Sequence, residues 1–148
     1  NKWDLSRENE ILFKDFEDRV SHKLRFLEFA PVLTVSALSG LRIEKILPQV
    51  EQVYEEYSRS ITTSSLNECF ERAIQKNPMS SYRGKFMKLY YAAQVKKRPP
   101  TFKCFMNYPD GIHFSYRRYL INTLRKKFGF VGTPVRLVLA GKRKGVDV

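Results

Sequence analysis

Asn1-Lys2-Trp3-Asp4, at the amino end, has the residue types and spacing to read the edge of a guanine. Guanine presents N1–H and an exocyclic amine side by side, with a keto O6 next to them. A fixed carboxylate accepts from both N–H groups together, and adenine offers no matching pair of donors. Asp4 is that carboxylate in this reading. Asn1 ties its loop to a neighbouring loop and reaches toward N7. The Lys2 stem lies over the base face while its ammonium stays hydrated. O6 needs a donor from a second loop, and a backbone N–H suits it. Ser36-Ala37 is where that donor comes from. NKxD alone occurs by chance, and NKxD joined to a second loop 35 residues later is the more specific signal.

The phosphate-handling half of a nucleotide site has no counterpart in the chain. GxxxxGK[ST] does not occur, no DxxG follows a strand-like run, and no switch Thr for Mg²⁺ stands out. In GTPases these elements precede NKxD. The expectation is therefore that Asn1 is an interior residue of a larger domain and the chain a carboxy-terminal piece of it. Such a piece has no catalytic residue, does not hydrolyse GTP and does not bind nucleotide tightly.

Elements must bring the two loops together. Apolar residues at helical spacing predict a helix over 7–26, carrying Ile11, Leu12, Phe16, Val20 and Leu24. The β-branched run at 32–35 reads as a buried strand, and the turn 36–40 follows it. A second helix runs on from Ile43, with Pro48 either kinking it or delaying its start. Helix, strand, loop, helix is the rhythm of an α/β sheet protein, and ligands in such sheets sit at the carboxyl ends of strands.

Small polar residues at 58–63 mark a boundary, which divides the chain into 1–61 and 62–148. Beyond it, Ser65-x-x-Glu68 suggests a capping box opening a helix that Asn77-Pro78 closes. Strands follow at about 86–95 and 102–106, then a helix capped by Ser115 and running to Phe128, then a strand at 135–139. The order α-β-β-α-β gives an α+β sandwich: a three-stranded sheet with helices on one face. Gly129-Phe130-Val131-Gly132 has the letters of an RNA-clamping GxxG loop. It joins a helix to a strand, however, and its middle residues are apolar, so it reads as a helix C-cap with a hydrophobic latch.

Charge separates the two parts. Residues 1–62 carry 9 Lys and Arg against 11 Asp and Glu, and residues 63–148 carry 18 against 4. That excess points to a polyanion, and basic residues interleaved with Tyr and Phe favour RNA over a membrane surface. Candidate contacts are Lys85, Lys88, Lys96, Lys97, Arg98, Arg117, Arg118, Arg125, Lys126, Lys127, Lys142 and Arg143. Cys69 and Cys104 form no CxxC pair and read as buried thiols of a reducing cytoplasm. His22 and His113 have no constellation around them, so no metal site is expected. No run is long and apolar enough for a membrane span.

Several long stretches carry a family resemblance: NKWD, SALSG, Lys-Leu-Tyr-Tyr-Ala-x-Gln-Val at 88–95, Arg98-Pro99-Pro100-Thr101-Phe102, Tyr116-x-Arg118-Tyr119-Leu120 and Gly132-Thr133-Pro134-Val135-Arg136. Over nearly its whole length the chain resembles the carboxy-terminal region of the EngA (Der) family of double-GTPase ribosome-assembly factors. The resemblance implies that residues 1–61 finish the second, P-loop GTPase domain and that 62–148 form a KH-like domain. It implies that Asn1, Lys2 and Asp4 form the base-specificity motif, with Ser36 and Ala37 as the next guanine-contact motif and the Ala37 N–H aimed at O6. GTP or GDP with Mg²⁺ in the intact parent, large-subunit rRNA and the parent's GTPase domains are the implied ligands and partners. Two other readings are kept beside it: an autonomous RNA-binding KH-type module, and a docking domain without RNA affinity.

Overall fold

The computed structural model describes residues 1–8 and 12–141. The chain divides into two compact units. One comprises Asn1–Glu56 with Val131–Thr133; the other comprises Tyr57–Phe130 and the segment from Pro134 onward.

The first unit contains α1 (Leu5–Glu8), α2 (Phe13–Lys23) and α3 (Ile46–Ser58), whose last turn crosses the division. The single helix expected over 7–26 is thus two shorter ones, and Ile11 lies outside the described residues. Leu12 supplies the extended N-cap of α2 with no side-chain cap bond, so apolar spacing alone did not locate this start. Pro48 falls in the first turn of α3, where N–H groups have no intrahelical acceptor and a missing one costs nothing. A 3₁₀ turn, Ile43–Lys45, precedes it. The strand expected at 32–35 is a correction. The segment is extended, yet it joins no sheet among the described residues. A β-branched run makes backbone extended, but a strand also needs a neighbour along its edge. Here the bond from Trp3 N–H to Val35 O, 3.0 Å, provides one contact of that kind.

The second unit is a layer of helices on a mixed sheet. Its helices are α4 (Thr63–Lys76) and α5 (Phe114–Phe128); its strands are β1 (Leu89–Lys96), β2 (Thr101–Met106) and β3 (Arg136–Gly141). The strand order is β1-β2-β3, with β1 antiparallel and β3 parallel to β2. Parallel pairing of β2 and β3 needs a crossover, and α5 is that crossover. Alternation along the strands sends Ala92, Phe102, Cys104 and Leu137 to one face. There they bury against Leu66, Phe70 and Ala73 of α4 and Leu120 and Leu124 of α5. The opposite face carries Tyr91 stacked on Phe105, ring centroids 4.5 Å apart, with the Lys103 ammonium 5.1 Å from the Phe105 ring.

Two caps differ from expectation. Thr62, not Ser65, is the N-cap of α4: its Oγ1 accepts from the Ser65 N–H at 3.3 Å. Glu68 pairs instead with Arg72 at 2.5 Å. At α5 the cap is His113, whose Nδ1 accepts from the Ser115 N–H at 3.3 Å, so Ser115 is the group being capped. Both misplacements are short shifts along the chain, of the size that separates a capping side chain from the amide it serves.

Both sheet edges are covered by side chains. Asn67 of α4 donates from Nδ2 to Ala92 O at 2.8 Å and accepts the Ala92 N–H on Oδ1 at 2.7 Å. Gln94 does the same for the entering chain, accepting from Ile61 N–H at 2.8 Å and donating to Arg59 O at 2.9 Å. On the other edge Arg117 donates to Leu137 O. An edge strand offers unpaired N–H and C=O groups to any passing chain; Asn67 and Arg117 occupy three of them, while the Gln94 side chain ties β1 to the backbone entering α4.

Candidate guanine site and basic surface

Within the first unit the two loops meet. Lys2 holds a left-handed backbone (φ 60°), which turns the chain sharply between Asn1 and Trp3. Trp3 anchors the loop by edge-on contacts to Phe13 and Phe16, at 6.0 and 5.4 Å. Asn1 Oδ1 accepts from Ala37 N–H at 3.1 Å and from Lys2 N–H at 2.7 Å. Ser36, fully buried, donates from Oγ to Asp4 Oδ1. The same Ser36 Oγ accepts the Ser39 N–H at 3.3 Å, which closes the second loop on itself. Asp4 is half-buried, and Asn1, Lys2 and Ala37 are exposed. All five residues singled out from sequence are therefore in one small constellation.

The arrangement orients a carboxylate. Two oxygens offer about four lone-pair directions, and Ser36 occupies one of them. The Ala37 N–H faces Asn1 rather than standing apart from the first loop. A cleft of roughly 570 Å³ lies beside Asp4, lined by Trp3 and by residues 39–42 and Glu44, not by Lys2 or Ala37. Arg42, which donates to the Thr34 hydroxyl, is a lining residue that sequence reasoning passed over. Nothing in its neighbours marks it, because the contact depends on its left-handed backbone (φ 59°). Among the described residues no three His, Cys, Asp or Glu side chains gather as a metal site.

The basic candidates of the second unit fall in three places. Lys85 and Lys88 flank the turn before β1; Lys96, Lys97 and Arg98 lie at its far end; Arg117, Arg118, Arg125, Lys126 and Lys127 lie on α5. Lys142 and Arg143 are outside the described residues. With about 3.3 Å per strand residue, Lys88 and Lys96 stand roughly 26 Å apart, so these cations form no single cluster. Several have structural work. Arg125 donates to Phe130 O at 2.6 Å, Arg98 to Ser58 Oγ at 3.0 Å, and Arg117 to the β3 edge. Lys85, Lys88, Lys96, Lys97 and Lys126 are exposed. Arg72 and Lys76, absent from the sequence-derived set, line one groove with Lys126 and Lys127. A helical wheel of α4 alone gives them no meaning, because their neighbours in that groove come from α5.

The GxxG letters do not form a clamp. Gly129 closes α5 through its N–H to Arg125 O, at 2.8 Å, and Phe130 is fully buried, edge-on to Phe102 at 5.7 Å. A residue locked in the core cannot meet a nucleic-acid backbone. Both thiols are buried and free. Burial pushes the Cys104 thiol up to about 12, slightly offset by nearby Arg117, and burial also raises Cys69. Both shifts disfavour the thiolate, the nucleophilic form.

A three-stranded sheet with one parallel pair, covered on one face by two helices, defines an α+β domain of KH-like type. Residues 60–139 match the family described as the KH-domain-like of EngA bacterial GTPase enzymes, C-terminal. The chain is 44% identical over 147 residues to GTPase Der of Caldanaerobacter subterraneus subsp. tengcongensis, covering 99% of this chain and 33% of that protein. It is 44% identical to GTPase Der of Moorella thermoacetica (97% and 33%) and 43% identical to GTPase Der of Geobacter metallireducens (96% and 32%). The chain belongs to the EngA (Der) GTPase family and carries its carboxy-terminal KH-like domain. It spans about a third of the length of these relatives.

Proposed function

We propose that this chain is the carboxy-terminal region of a GTP-regulated ribosome-assembly factor of the large subunit, working in the cytoplasm. In this reading its first part, 1–61, reads the guanine base, and its KH-like part, 62–148, meets rRNA. The observation that carries the base-reading half is the pair of bonds between the two loops, Ser36 to Asp4 and Ala37 to Asn1. They hold a carboxylate and an amide donor side by side, as a reader of N1–H, N2 and O6 requires. On binding, the Ala37 N–H exchanges Asn1 Oδ1 for O6, and the freed Asn1 amide turns toward N7. Asp4 accepts from N1–H and the exocyclic amine. Guanine nucleotide is held here by its base alone. Groups for the phosphates and Mg²⁺ belong to sequence that this chain does not include.

The KH-like half rests on charge. Exposed lysines at both ends of β1 and in the last turn of α5, with Arg117 and Arg118 earlier on that helix, make positive surfaces with very few carboxylates. Such a surface binds RNA through phosphates, with little sequence preference and steep salt dependence. A filter-binding series on the 148-residue chain with single-stranded RNA tests it. The expected result is binding whose log affinity falls linearly with log salt, at a slope of about −0.7 for each phosphate contacted. Absence of binding at low salt contradicts the RNA-contact reading.

A docking role has its own support. Tyr91, Val95 and Val138 stand 48%, 55% and 42% exposed on or beside the helix-free sheet face, an apolar surface suited to a protein partner. The GTPase portions of the longer protein are the partners this second reading names.

A further inference from the structure

Between α4 and α5 runs an open groove of about 410 Å³ whose basic lining is not accounted for by either helix alone. Arg72 and Lys76 form one wall, Lys126 and Lys127 the other, and Cys69 and Ala73 the buried floor. Among the described residues no carboxylate lines it. Helix dipoles favour cations in a last turn, which accounts for Lys76 and for Lys126 or Lys127 singly. They do not account for four cations converging on one trough. Like charges at that range repel, and among the described residues the repulsion is relieved by Glu68 at the rim, 2.5 Å from Arg72 and 3.5 Å from Lys127.

We propose that this groove seats the phosphodiester backbone of RNA, with Glu68 as a built-in competitor for the cations. The inference deepens the RNA-contact reading above and rests on it. Arg72 and Lys76 are four residues apart, roughly 6 Å along the helix. That step is of the order of the spacing between successive phosphates on one strand. An apolar floor accepts the sugar edge, and cations on both walls accept the charged oxygens. Arg72 presents a planar fork of donors to a phosphate, while the lysines act as point charges. Glu68 keeps Arg72 and Lys127 ordered in the free chain and yields them when phosphates arrive. Its carboxylate therefore opposes binding although it belongs to the site.

The competitor role makes a prediction that a generic basic patch does not. With a fluorescein-labelled 12-nucleotide single-stranded RNA and the 148-residue chain, Glu68→Gln tightens binding about threefold or more at low salt. The double variant Arg72→Gln, Lys76→Gln weakens it about tenfold and lowers the salt slope by about 1.4. Arg72 is 73% exposed and Glu68 51%, and unchanged melting curves verify that the fold is intact. Lys85→Gln, Lys96→Gln serves as the comparator of equal charge change. If RNA binds but Glu68→Gln leaves affinity unchanged and the groove variant matches the comparator, the groove assignment is overturned while the RNA-contact reading stands. If no variant and no parent chain binds the RNA, that reading falls and the groove falls with it. Equal tightening of poly-glutamate by Glu68→Gln overturns the phosphodiester assignment in favour of a generic anion trough.

Discussion

Asp4 keeps its aim because Ser36 holds it, and Ser36 is buried because its loop folds back on its own hydroxyl. Removing that hydroxyl frees the carboxylate to swing, so Ser36 is a positioning residue in the proposed base site. Other single residues govern how the chain responds to pH. Cys104 is raised by burial to about 12 from an ordinary 9.0, and Tyr116 by burial, then by neighbouring Tyr119, to about 12 from 10.0. The Tyr116 hydroxyl donates to Asn77 O at 2.6 Å, a bond that only the protonated phenol makes. Above the unfolded values, the unfolded chain loses these protons while the folded chain keeps them. Folded protein then binds more protons, and stability falls as pH rises. The buried Cys104 contributes a slope of about 1.4 kcal/mol per pH unit inside its window, and the more exposed Tyr116 adds less. Denaturant melts should show stability declining from about pH 9 for Cys104 and about pH 10 for Tyr116. Cys104→Ala should flatten the first part of that decline, and a decline unchanged by the substitution refutes the assignment.

Among elements, the edge strand β1 depends on α4 through one side chain. Asn67 pairs both the N–H and the C=O of Ala92, a residue with no exposed surface. Asn67→Ala leaves those groups buried without partners, at a cost of about 2 kcal/mol. For a unit of this size that lowers the melting temperature by roughly 10 °C; a shift under about 3 °C would show that water replaces the amide. Asn67→Asp keeps one of the two bonds and should fall between. These elements differ in how far sequence revealed them. The order α-β-β-α-β was legible because Phe102 and Cys104 alternate with Thr101 and Lys103, and because Leu120 and Leu124 repeat at helical spacing. The Thr62 and His113 caps were not, since Ser65 and Ser115 are equally good cap residues and only backbone geometry chooses between neighbours. The run at 32–35 misled for a different reason. Strand propensity is local and sheet membership is not. The joining of Asn1, Asp4, Ser36 and Ala37 was legible from motif spacing, whereas the α4–α5 groove was hidden because its walls lie about 50 residues apart in sequence.

Over the whole molecule, burial and charge are both unevenly divided. Every fully buried apolar side chain among the described residues belongs to the second unit, while Leu12, Phe26, Leu38 and Leu47 of the first unit are 66 to 90% exposed. So much open apolar surface in the first unit suits contact with further polypeptide, in keeping with a chain spanning about a third of its relatives' length. The 148-residue chain should therefore bind a hydrophobic dye strongly, and protein of the relatives' length should bind less of it per molecule. Equal binding by both contradicts this. In the proposed base site, guanine recognition rests on Asp4. Its most direct test exchanges the donor and acceptor pattern in protein of the relatives' full length. Asp4→Asn replaces an acceptor with an amide that donates to the 2-oxo group of xanthine. Titration with GTP and with xanthosine triphosphate should show the variant losing one equivalent of GTP, with a preference reversed by roughly 100-fold or more at that site. It should gain one equivalent of xanthosine triphosphate in exchange. An Asp4→Asn protein that binds GTP with unchanged stoichiometry and affinity, and gains no xanthosine triphosphate, would contradict it.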